Sequence, residues 1–104
     1  MSQLPAILSR LDADLETALT RLSTWLEIPS IGTDPAFDAE TRRAAHWLSD
    51  DLATLGFASE VRDTPGQPVV LAHRPKPGAP HVLFYGHYDV QPVDPLALWE
   101  SEPF

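Results

Sequence analysis

The chain contains no cysteine, which removes disulfides, thiolate metal sites and cysteine nucleophiles at once. Any metal it holds must be bound through nitrogen and oxygen. Basic residues are scarce as well: 7 Lys+Arg stand against 15 Asp+Glu, a formal charge of -8. Such a surface repels phosphate backbones and anionic bilayers, so neither a nucleic-acid nor a membrane partner is expected. No apolar run is long enough to span a bilayer, and the N-terminus lacks a basic segment followed by an apolar stretch; a cytoplasmic location is the expectation. Repeats and low-complexity tracts are absent. The length of 104 residues, with 43% hydrophobic content, suits one small unit with a modest core.

What is present first is helical periodicity. Leu4, Leu8, Leu11, Leu15, Ala18, Leu22 and Trp25 recur at steps of three and four, which places them on one stripe of a long helix. Such a stripe is read as core, with a coiled-coil seam as the alternative. The connector Pro29-Ser30-Ile31-Gly32-Thr33-Asp34-Pro35 interrupts the pattern. Asp34 then caps a second helix with Pro35 at its first position. Phe37, Thr41, Ala44, Ala45, Leu48, Leu52 and Leu55 make its inner face, Gly56 terminates it, and Phe57 folds back on its last turn. Asp38 and Arg42 are spaced to pair on the outer face, and His46 is a surface or boundary residue.

Three strands are expected after the helices. Phe57 to Arg62 is the first, Thr64 to Pro68 a turn, and Val69 to His73 the second. The proline-rich connector from Pro75 to Pro80 leads to the third, and a link so short requires its two strands to be antiparallel. His73 and His81 flank this connector and could face each other across the ladder, but read better as solvent-accessible strand-end histidines. The third strand, Val82 to Tyr85, is apolar throughout, which suits burial on both faces within a mixed sheet. It runs out at Gly86, where the backbone can turn or approach a neighbour closely, and delivers His87 and Asp89. In extended geometry those two side chains share a face, so the Asp89 carboxylate can hold one ring nitrogen of His87 while the other meets a metal. Taken alone, a His-x-Asp triplet reads more simply as a polar strand end.

Its surroundings say more. The run Gly86-His87-Tyr88-Asp89-Val90-Gln91-Pro92, followed by Trp99 and Pro103-Phe104, resembles the first metal-site segment of the M20 family of zinc-dependent peptidases and deacylases, and most of all its dipeptidase, carnosinase-like branch. The resemblance implies that His87 is a metal ligand and that Asp89, as the catalytic-site carboxylate, orients it. It also implies two zinc ions in a complete site, with cobalt able to replace them, and amide hydrolysis of dipeptides or N-acyl amino acids. The remaining ligands and the general base follow this segment in the family. Residues 1–104 therefore read as the N-terminal part of an M20 catalytic domain, without a lid or dimerisation domain: an α/β unit of two helices and three strands of a mixed sheet, the start of a three-layer αβα fold. By itself such a fragment is expected to be inactive and to self-associate through an uncovered sheet. A non-catalytic remnant acting as a binding or association module is the alternative reading.

Overall fold

Helix α1 spans Leu4–Leu26 in the computed structural model, which describes residues 2–104. Pro5 sits in its first turn, where a missing N–H costs nothing. The apolar stripe does not form the core expected of it: its leucines, with Ile7, are 45 to 62% exposed. The helix is held only near its C-terminal end. Arg21 makes a two-pronged bond to Asp51, at 3.0 and 2.6 Å. Trp25 stacks on Trp47 with ring centroids 5.8 Å apart and donates its indole N–H to the Ala44 carbonyl at 3.3 Å. Periodicity marks a surface that favours burial, but burial also needs an opposing element, and none of the described residues covers the rest of the stripe.

Helix α2 spans Asp38–Thr54 and follows a 3-10 turn over Pro35–Phe37. The Asp34 carboxylate caps that turn by accepting from the Ala36 N–H at 2.9 Å. At the other end Gly56 has φ 89°, a left-handed conformation that a side chain disfavours. Its N–H reaches the Ala53 carbonyl at 3.0 Å and the Phe57 N–H reaches Leu52 at 3.3 Å. This is the paired-bond termination that the Leu55-Gly56-Phe57 sequence predicts. The Asp38–Arg42 pair does not form. Arg42 bonds Asp63 at 2.7 Å, and Asp38 accepts from Gln67 at 2.8 Å, because the turn between the strands brings both partners over the helix.

Strands β1 (Ala58–Arg62) and β2 (Val69–His73) form an antiparallel pair, with Ala58 opposite His73 and Arg62 opposite Val69. Ser59, Val61 and Val70 turn inward, and Ser59 and Ser49 share a hydroxyl hydrogen bond at 2.8 Å across the α2–sheet contact. Among the described residues the sheet has two strands and is antiparallel, not three-stranded and mixed. Val82, Leu83, Phe84 and Tyr85, expected as a doubly buried strand, are 83 to 91% exposed and unpaired. A strand exists through its ladder partner and the layers that cover it, and neither is in place along this segment.

The core lies elsewhere. Ile28 and Ile31 from the interhelical connector are buried, as are Ala44 and Ala45 of α2, together with Ser30, Thr41 and Ser49. The segment that carries His87 is attached to the connector at Ser30.

Candidate metal site

His87 Nδ1 lies 3.1 Å from Asp89 Oδ1 and 3.1 Å from the Asp89 carbonyl oxygen. Both partners are acceptors, so a neutral ring in this geometry places its proton on Nδ1 and leaves the Nε2 lone pair free. This is the arrangement expected from the two-residue spacing. The His87 side chain is 76% exposed and that of Asp89 41% exposed, so the pair stands at the surface with Nε2 accessible.

The pair is oriented by the interhelical connector. Val90 donates its N–H to the Ser30 carbonyl at 2.9 Å, in an isolated parallel bridge between Ile31 and Val90. The Ser30 hydroxyl donates to the Tyr88 carbonyl at 3.2 Å. The Tyr88 phenol donates to the buried Pro68 carbonyl at 2.5 Å. Burial, and secondarily the nearby Asp89 carboxylate, push the Tyr88 phenol above its ordinary ionisation range, with Arg42 opposing them. Asp89 lies directly on Gly32: a Cβ at that position would come within 2.6 Å of Asp89 Oδ2. Gly32 is held in turn by Gln67, whose amide donates to its carbonyl at 3.0 Å.

Glycine freedom was expected at Gly86, yet a Cβ there would meet only the Phe84 ring at 3.5 Å, an ordinary contact. The close approach occurs at Gly32. Ser30 and Gly32 were legible in sequence only as parts of a helix-breaking connector. The other histidines do not join the site. His46 is exposed on α2. His73 and His81 face each other across the 74–80 connector, with ring centroids 6.2 Å apart.

Among the described residues no group of three or more His, Cys, Asp or Glu side chains converges. The donors at this position are one imidazole nitrogen and its neighbouring carboxylate, which alone do not make a metal site. Among the same residues, no helix is long and apolar enough to cross a membrane.

No family model matches the chain. It is 35% identical over 100 residues to the Cys-Gly metallodipeptidase DUG1 of Candida albicans, covering 83% of this chain and 21% of that protein. It is 45% identical over 53 residues to the succinyl-diaminopimelate desuccinylase of Nitrosomonas eutropha, covering 51% of this chain and 14% of the relative. The solved structure of the di-peptidase Dug1p from Saccharomyces cerevisiae superposes with a TM-score of 0.87 at 28% identity, over 99% of this chain and 24% of that one. Thus the chain spans about a fifth to a quarter of the length of the dipeptidases it matches.

Proposed function

With the chain homologous to M20 metallopeptidases along nearly its whole length, we propose that it supplies the first metal-ligand segment of a metal-dependent amide hydrolase. The observation that carries this reading is the His87–Asp89 pair, with Nδ1 engaged and Nε2 free. His87 Nε2 is the ligand atom. Asp89 is the supporting carboxylate that keeps the proton on Nδ1 and orients the ring. Zinc is the proposed metal, with cobalt as a substitute; when bound it polarises a scissile carbonyl and acidifies water. The substrates are dipeptides or N-acyl amino acids, in line with the dipeptidase and desuccinylase relatives. The enzyme is proposed to act in the cytoplasm.

In the complete enzyme, Val82–Tyr85 becomes a strand of a larger mixed sheet within a three-layer domain, and groups outside these 104 residues complete the metal set and provide the general base. The 104 residues by themselves do not turn over substrate, because one imidazole cannot position a metal, a water and a proton acceptor together. Zinc titration calorimetry, with 15N NMR of the imidazoles, tests the assignment. Weak binding that perturbs His87 Nε2 and disappears in His87→Ala is expected. Zinc binding that leaves His87 untouched would exclude the ligand role, and release of amino acids from a dipeptide panel by the purified chain would exclude the inactivity.

A further inference from the structure

We propose that Ser30 and Gly32 are positioning residues for the His87–Asp89 pair: the connector between the helices is a cradle that sets where the Asp89 carboxylate stands and, through it, which nitrogen of His87 is free. The consequence for catalysis rests on the ligand role proposed for His87. The cradle itself does not.

Two sets of contacts define it. The first is steric. Gly32 has no positive φ, so no left-handed turn demands a glycine there. What excludes a side chain is Asp89: a Cβ on Gly32 would lie 2.6 Å from Oδ2, 3.1 Å from Cβ and 3.2 Å from Cγ of that residue. These distances involve the root of the aspartate side chain as well as its tip, so a rotation about χ2 alone cannot relieve them. The glycine is therefore required by the placement of Asp89, not by a turn.

The second set is polar. The Ser30 carbonyl accepts from Val90 N–H and the Ser30 hydroxyl donates to the Tyr88 carbonyl, so the backbone on both sides of Asp89 is bonded to one connector residue. Ser30 is itself buried, and buried polar groups hold their partners because the alternative is an unsatisfied atom. Asp89 is thus fixed from its flanks by Ser30 and from beneath by Gly32. Its Oδ1 is left in reach of His87 Nδ1. A neutral imidazole places its proton according to the hydrogen bond that one nitrogen makes, so the cradle sets the tautomer of His87 from a segment nearly sixty residues earlier in the chain.

The test is Gly32→Ala, read by long-range 1H–15N NMR of the His87 ring without metal. Wild type should show the Nδ1–H tautomer, and Gly32→Ala should lose it, because the carboxylate is displaced from Nδ1. Zinc affinity at His87 should fall roughly 10- to 100-fold, the usual effect of losing a ligand's supporting carboxylate. An Nδ1–H tautomer unchanged in folded Gly32→Ala overturns the proposal. If Gly32→Ala does not fold, the double variant Gly32→Ala/Asp89→Gly decides. Its refolding shows that the obstruction was Asp89, and its failure to refold shows that Gly32 is required for another reason and overturns the proposal. A wild-type Nδ1–H tautomer without any zinc response at His87 supports the cradle while removing the ligand role.

Discussion

Among the described residues Thr41 is the largest fully buried side chain, and its hydroxyl has no hydrogen-bond partner there. A buried, unsatisfied hydroxyl costs about 1–3 kcal/mol relative to water. Thr41→Val replaces that oxygen with a methyl group of similar size and keeps the β-branch, and the two residues have nearly equal helix propensity. The expected outcome is a gain of about 1 kcal/mol, at the low end because the threonine methyl is already buried and only the polar penalty is relieved. For a chain of this size that corresponds to a rise in melting temperature of about 4–8 °C. Thr41→Ser makes the opposite change, keeping the hydroxyl and deleting the methyl, and should lose about 1 kcal/mol through lost burial and the void left behind. Urea unfolding followed by circular dichroism and by the stacked Trp25–Trp47 pair measures both at constant m-value. A Thr41→Val protein that is less stable than wild type, with m unchanged, would refute the claim that this hydroxyl is unpaired.

Two further outcomes follow from exposure and from burial. Val82–Tyr85 presents four large apolar side chains to water, and such segments are templates for association. Wild type should show concentration-dependent sedimentation in analytical ultracentrifugation, and Phe84→Lys should shift it toward monomer without loss of the fold; a wild-type monomer at high concentration would remove the basis for self-association. The Tyr88 phenol, by contrast, is pushed above its ordinary value of 10.0. Between that value and the folded-state value the unfolded chain has released a proton that the native protein still holds. The stabilisation is therefore complete below the ordinary value and is lost as pH rises through the folded one. Tyr88→Phe should flatten this alkaline decline in the urea midpoint, and an unchanged slope would show that Tyr88 is not its source.

The parts of the fold that could be read in advance are those written locally. The end of α2 needs only Gly56 followed by an apolar residue, and β2 is bounded by Pro68 on one side and a proline-rich connector on the other. The His87–Asp89 pair was legible for the same reason, since two residues apart in extended backbone is already a contact. Errors arose where a pattern states a preference and leaves the partner unnamed. The α1 stripe and the Val82–Tyr85 run both encode apolar surface that favours cover, and neither encodes what supplies it. Ser30 and Gly32 escaped for a different reason. Their partners lie nearly sixty residues away, and a glycine that serves by lacking a side chain leaves no periodicity to detect.

These two kinds of segment meet at His87, and the junction determines how the site is held. Before it, residues 82–85 are exposed and unpaired. After it, Tyr88 and Val90 are bonded to Ser30, and the Tyr88 side chain reaches Pro68. The anchorage of the ligand segment is thus entirely on its C-terminal side. The Asp89 carboxylate is consequently the better placed of the two groups, and His87 takes its direction from it rather than from a strand. A ladder partner along Val82–Tyr85 would restrict the backbone on the N-terminal side of His87 as well. The imidazole would then be held from both directions, and the entropy of fixing it would be lost on pairing of that strand rather than on binding of a ligand. Under the ligand role proposed for His87, any group that orders 82–85 is expected to strengthen metal binding there, since it lowers the cost of ordering the ring.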